Sequence, residues 1–206
     1  MERKNGGVGK VNPLQAAAKV ARWLEEMGIR YFIIGGIALQ YWGETRLTRD
    51  VDVTVLVKPE QLEGFFQEAL KLFRPRIPDA LEFARQHRVL LLETENGVPI
   101  DISLGIFGYE EEAWEHSKEM EFAGIGRLRL ISAEDLIVHK CVAGRPRDVE
   151  DVESILVRQR LQVDVERIRS WLKAFREVVE EHDPLALFEE ALNRGRKAML
   201  VGESSE

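Results

Sequence analysis

The sequence predicts an α/β fold of the α+β kind, a small mixed sheet flanked by helices with a helical C-terminal part. Three observations predict it. Short runs of apolar and β-branched residues alternate with helical apolar stripes over residues 12–131. Asn96-Gly97 joins two such runs as a hairpin turn would. Beyond residue 132 only helical periodicities remain. Residues 12–131 are therefore expected to form the α/β core and 132–199 the helical part. Residues 1–11 and 200–206 are expected to be flexible tails.

Each element has its own signal. Pro13 suits a first helical turn, and Leu14, Ala17, Ala18, Ala21 and Leu24 make a stripe that Gly28 stops. Residues 31–34 read as a short buried strand ending at Gly35-Gly36, with a helix over residues 37–42. The β-branched run 51–57 reads as a central strand. Pro59 opens an amphipathic helix carrying Leu62, Phe65, Phe66, Ala69, Leu70 and Phe73, which Pro75 and Pro78 break. Asp79 is placed to cap a shorter helix ending near His87. Residues 89–93 and 98–104 form the hairpin, and a short helix is expected over 109–116. A turn at Gly124-Ile125-Gly126 leads to a strand over 128–131. Ser132 and Asp135 resemble a capping box for a helix over 133–142. After Gly144-Arg145-Pro146 the expected helices are 148–157, 164–180 and 184–196.

Composition excludes several classes. No apolar run approaches the ~20 residues needed to cross a bilayer, so no membrane partner is expected. The stretch 1–10 is polar and lacks a secretory apolar segment. Cys141 is the only cysteine, so no intrachain disulfide can form and a reduced, cytoplasmic setting is expected. A formal charge of −7 argues against a protein that coats nucleic acid. Arg127, Arg129, His139, Lys140, Arg145 and Arg147 cluster in one region and read as a solvated surface. Gly6-Gly7-Val8-Gly9-Lys10 lacks the preceding strand, the glycine spacing and the hydroxyl residue of a phosphate-binding loop. His87, His116, His139 and His182 have no zinc-like spacing. Trp23, Trp42, Trp114 and Trp171 read as core anchors. The stripe Ile168, Trp171, Leu172, Phe175 and Val179 packs on the core or, alternatively, forms a dimer or antitoxin interface.

The chemistry concentrates in Gly35-Gly36 followed by Arg46-Leu47-Thr48-Arg49-Asp50-Val51-Asp52. Residues i and i+2 of a strand share a face, so Asp50 and Asp52 can converge while Val51, Val53 and Val55 pack in the core. Adjacent carboxylates repel unless a cation compensates, and Mg²⁺ or Mn²⁺ commonly bridges carboxylates to phosphates. Glycines at a strand-to-helix turn let backbone N–H groups approach an anion. Asp101 stands in an apolar strand, where an unpaired charge is costly, and adds a third carboxylate.

Gly35-Gly36 with Arg46-x-Thr48-x-Asp50-x-Asp52 resembles the signature of the nucleotidyltransferase superfamily, the DNA polymerase β-like fold, and Asp101 falls where that superfamily places its third acidic residue. Ser132-Ala133-Glu134-Asp135-Leu136-Ile137-Val138-His139-Lys140, with Ala143-Gly144-Arg145-Pro146-Arg147-Asp148 and Asp151, is similar to the AbiEii-type branch, which includes toxins of toxin–antitoxin systems. The resemblance covers residues 31–156. It implies a metal-dependent enzyme moving a nucleoside monophosphate from a nucleoside triphosphate to an RNA, such as tRNA, or a protein. Asp50, Asp52 and Asp101 would be the metal ligands. Gly35, Gly36, Arg46, Thr48, Lys140 and Arg145 would meet the nucleotide, with Lys140 directed at the triphosphate. Lys140 otherwise reads as a solvated helix residue, and Arg46 and Arg145 as salt-bridge partners. Asp148 and Asp151 would orient Lys140 or cap the following helix. Many superfamily members carry Gly-Ser where this chain has Gly-Gly, which removes a hydroxyl from the turn. Two other classes stay open: an association module of a toxin–antitoxin system with its partner, and a nucleotide sensor that binds without transferring.

Overall fold

Alternating apolar residues give a strand one packing face, while continuous apolar runs bury both, and the two patterns divide this sheet. A computed structural model describes residues 12–203. The tail expected at 1–11, with its glycine-lysine stretch, and residues 204–206 lie outside the described residues. The strands are β1 (Arg30–Ile33), β2 (Val51–Leu56), β3 (Arg74–Pro75), β4 (Val89–Glu93), β5 (Pro99–Leu104), β6 (Lys118–Phe122) and β7 (Gly126–Leu130). They form one mixed sheet in the order β3-β4-β5-β2-β1-β7-β6. β1 runs antiparallel to β2 and parallel to β7, whereas β2 and β5 are parallel.

One face of the sheet is covered by α1 (Pro13–Glu26), α3 (Leu62–Leu72) and α4 (Ala80–His87). Val51, Val53, Val55, Ile100 and Ile102 pack there against Leu24, Phe65 and Phe66. Asn12 caps α1 by accepting from the Leu14 N–H at 3.0 Å. The other face receives α2 (Gly35–Trp42), α5 (Tyr109–His116), α6 (Ala133–Ala143), α7 (Asp148–Arg158), α8 (Val165–Phe175) and α9 (Pro184–Glu203). Phe32 and Ile131 join Leu39, Leu136, Ile155, Leu172 and Phe188 in that second core. Cover on this face is incomplete. In β2 every residue except Asp52 is buried, whereas β4 and β5 bury alternate residues only. The helices thus stop at β2, and the face of β5 and β4 beyond it is open.

Several boundaries differ from the sequence-based expectation. β6 has no counterpart in the sequence-based expectation, because Lys118, Glu119 and Glu121 mask its alternation; it is an exposed edge strand held by β7. β3 pairs only through Arg74 and Pro75 at the opposite edge, where a missing N–H is tolerated. α2 begins at Gly35, earlier than expected. α8 ends at Phe175 because Glu177, Val178, Glu180 and Glu181 meet no core. Asp183 then starts α9 by accepting from Leu185 and Ala186 N–H groups, and that helix continues to Glu203, into the stretch 200–206 read as a tail. The α8 stripe is taken up by the core: Ile168 and Leu172 are buried, with Trp171 and Phe175 packed against the same cluster. Among the described residues no helix is long and apolar enough to cross a membrane.

Candidate active site

Strand register brings the acidic residues together. Asp52 of β2 lies directly opposite Asp101 of β5, both on the partly covered face. Asp50 immediately precedes β2, and its Oδ1 accepts from the Thr48 hydroxyl at 2.9 Å. Above them the chain leaves β1, turns at Gly35 with φ +60°, and enters α2. A Cβ on Gly35 would stand 1.9 Å from Asp52 Oδ2, and one on Gly36 would stand 2.4 Å from Thr48 Oγ1. Any side chain there would displace Asp52 or Thr48, so the Gly-Gly pair is a packing requirement. The hydroxyl that a Gly-Ser turn would carry has no room; the Thr48 hydroxyl fills that space. Ile34, at the N-cap of α2, supplies no side-chain hydrogen bond. The Gly36 N–H is turned to the Asp52 carboxylate, and the other N–H groups of the first turn are open to an anion in the cleft.

The opposite wall is built from α6, the turn after it and the start of α7. Lys140 is buried, not solvated: its Nζ donates to Asp148 Oδ1 at 3.0 Å and to Asp151 Oδ2 at 2.5 Å. Asp151 uses its other oxygen for Arg46, at 3.1 Å. Asp148 Oδ2 accepts from the Arg145 N–H at 2.7 Å, so this carboxylate braces the turn and the lysine rather than capping its own helix. Arg46 and Lys140, from segments far apart in sequence, are thus fixed by one carboxylate. Arg145 and Arg147 stay exposed at the mouth. The cleft between the walls has a volume of about 710 Å³.

Its electrostatics favour a cation near Asp52. Burial, then the charges of Asp50 and Asp101, push the Asp52 carboxyl up to about 6; Arg145 and a hydrogen bond from the Gly36 backbone oppose the rise. Burial also raises Asp101, against the pull of Arg76 and Arg145, with Asp50 adding to the rise. The donor set is all carboxylate oxygen, which suits Mg²⁺ or Mn²⁺. Among the described residues, however, no three acidic, histidine or cysteine side chains are already gathered as a metal cage. Asp50 is turned to Thr48 and Asp101 to Arg76, whose Nη2 donates to Asp101 Oδ1 at 2.5 Å.

The structure places Gly35, Gly36, Arg46, Thr48, Asp50, Asp52, Asp101, Lys140 and Arg145 around this one cleft. The basic cluster read from sequence divides. Arg127 and Arg129 pair with Glu119 on the β6–β7 hairpin. The His139 ring packs against Phe32 and Tyr109, and burial pushes its pKa down to about 4. Lys140, Arg145 and Arg147 alone of that cluster line the cleft. Sequence reasoning overlooked Leu47 and Arg49, which also line it, and Arg76. Leu47 and Arg49 sit inside the motif and could have been found there. Nothing local marks Arg76: its N–H donates to Leu91 O on β4, and Leu91 lies opposite Asp101 on β5.

Comparison with known proteins identifies the family and the fold. The family model described as "Nucleotidyl transferase of unknown function (DUF2204)" matches residues 13–183. No curated protein matches the chain. Two of the solved structures that match show the same fold. One is an antigenic nucleotidyltransferase-like protein from Paracoccidioides brasiliensis, with TM-score 0.52 and 16% identity, over 80% of this chain and 88% of that one. The other is ANT(2″)-Ia in complex with adenylyl-2″-tobramycin, with TM-score 0.51 and 18% identity, over 80% of this chain and 97% of that one.

Proposed function

The chain belongs to the family of nucleotidyl transferases of unknown function (DUF2204), and on that premise we propose that it transfers a nucleoside monophosphate from a nucleoside triphosphate to a hydroxyl of an RNA or a protein. The observation that carries this reading is the register pairing of Asp52 with Asp101 beneath the Gly35-Gly36 turn. Carboxylates and an anion-receptive helix start then face the same space, as a cation-bound triphosphate requires. An association module would have no use for that convergence.

In this reading the triphosphate lies between the start of α2 and the Lys140 wall. The N–H groups of the first turn of α2, beginning at Gly35, meet its outer phosphates, and Arg46 and Arg145 offset its charge beside Lys140, whose own charge is shared with Asp148 and Asp151. Asp151 keeps Lys140 and Arg46 at a fixed separation, so the phosphates meet preorganised donors within an ion-paired network. Asp50, Asp52 and Asp101 would hold Mg²⁺ or Mn²⁺, which when bound supplies Lewis-acid charge at the α-phosphate and at the attacking and leaving oxygens. The acceptor enters over the open face of β5 and β4. Asp101, at that border, takes the hydroxyl proton as the acceptor oxygen bonds to the α-phosphorus. The bond from the α-phosphorus to the bridging oxygen breaks, and pyrophosphate leaves. The similarity of residues 132–151 to the AbiEii branch supports a toxin–antitoxin setting for the same chemistry.

The test is transfer of α-³²P label from each ribonucleoside triphosphate to total tRNA, to cell protein and to an aminoglycoside, with Mg²⁺ or Mn²⁺. Label that appears on one acceptor and vanishes in Asp52→Ala would establish the reaction and name the acceptor class. Folded Asp52→Ala that labels as well as the wild type would sink the reading.

A further inference from the structure

The triphosphate-facing groups all lie on one side of the carboxylates. Gly35, Gly36, Arg46, Lys140 and Arg145 approach from α2, the loop before β2, and the α6–α7 turn. Arg76 is the cation on the other side. It follows β3, beyond β4, and reaches across the open face in the row of Leu91 to Asp101 Oδ1. The two side chains are 28% and 32% exposed, a half-sheltered pair. From the proposed metal-binding role of Asp101, on which this inference rests, we infer that Arg76 competes with the divalent cation for Asp101 and must let go for the three carboxylates to close on the ion.

Three features of the site converge. Asp101 stands in register with Asp52, so little backbone movement is needed to bring the carboxylates together. Among the described residues the carboxylates are not gathered as a cage, and two of them are engaged through one oxygen each, Asp101 Oδ1 with Arg76 and Asp50 Oδ1 with Thr48. A guanidinium and a divalent cation also repel, so they will not share one carboxylate comfortably. Arg76 therefore offsets the mutual repulsion of the triad before an ion arrives and resists the ion when it does. Its backbone is held only by the edge pairing of β3 and the hydrogen bond to Leu91, so the side chain can swing outward. A role in merely propping Asp101 for the metal predicts the opposite sign on substitution.

The experiment is Mn²⁺ binding to the full chain without nucleotide, followed by the electron paramagnetic resonance of free Mn²⁺, with folding checked by circular dichroism. Arg76→Ala is expected to bind Mn²⁺ about three- to tenfold more tightly than the wild type, the scale of one partly exposed ion pair plus the removed repulsion. Arg76→Lys, which keeps a charge but not the planar fork, should fall between. On an Asp101→Asn background the gain should shrink, because the carboxylate being contested is gone. Equal or weaker Mn²⁺ binding by Arg76→Ala would overturn the competition and make Arg76 a prop. A wild type that binds no Mn²⁺, or binds it unchanged in Asp52→Ala, would instead overturn the metal-site reading beneath it.

Discussion

Asp52 sits between Asp50 and Asp101 on a strand that is otherwise buried, and its carboxyl is pushed up from 3.8 to about 6. Folding thus favours the protonated form, and ionised Asp52 is a cost to stability. The cost is absent below about pH 3.8, grows as pH rises, and is complete above about pH 6. Asp52→Asn should therefore stabilise the protein at pH 7 by roughly 1–3 kcal/mol, the lower figure allowing for solvent screening in the cleft. Thermal denaturation with chelator present, from pH 4 to 8, checks this. A difference that stays constant across that range would mean shape, not charge, sets it. Such a gain, at the expense of transfer, is what a site that stores like charges predicts.

At the scale of elements, α6 and α7 are tied by Lys140. Its ammonium is nearly enclosed and satisfies two carboxylates that are themselves buried. Lys140→Ala would leave the buried Asp148 carboxylate without a cation and Asp151 with Arg46 alone, costing about 3–5 kcal/mol. Arg145→Ala, at an exposed position in the same turn, should change stability by under about 0.5 kcal/mol and act on nucleotide affinity alone. Urea titrations of both variants, beside nucleotide binding by calorimetry, separate the two kinds of cation. Comparable stability loss in both would mean the turn, not the buried ion pairs, holds the helices together. The sequence could not distinguish these residues, because a lysine on a polar-looking helix reads the same whether its head is solvated or enclosed.

At the scale of the molecule, the helical C-terminal part and the sheet share one core. Phe188 of α9 is fully buried in the cluster that also holds Phe32 and Ile131. Phe188→Ala should cost about 3–5 kcal/mol by cavity formation. Because the core is shared, unfolding followed by tryptophan fluorescence and by far-ultraviolet circular dichroism should remain a single coincident transition. Separate transitions would mean that the helices and the sheet fold as independent units.

What the sequence determined by itself was local. Glycine pairs, proline breaks, Asn-Gly and β-branched runs are short-range signals, and they located α1, β2, the β4–β5 hairpin and α6 within a residue or two. The DxD spacing likewise turned Asp52 away from the core side of its strand, because side-chain alternation is a property of the strand alone, whereas Asp50 lies in the bend just before β2. Edge strands escaped notice, since β6 carries the charges that edges use and β3 is two residues long. Tertiary structure decided which distant residues meet. The register of β2 with β5 sets Asp101 beside Asp52, the β3–β4 edge delivers Arg76 to Asp101, and helix packing encloses Lys140 between Asp148 and Asp151. Register, edge pairing and enclosure are set by how faces pack against one another, and no local spacing encodes them.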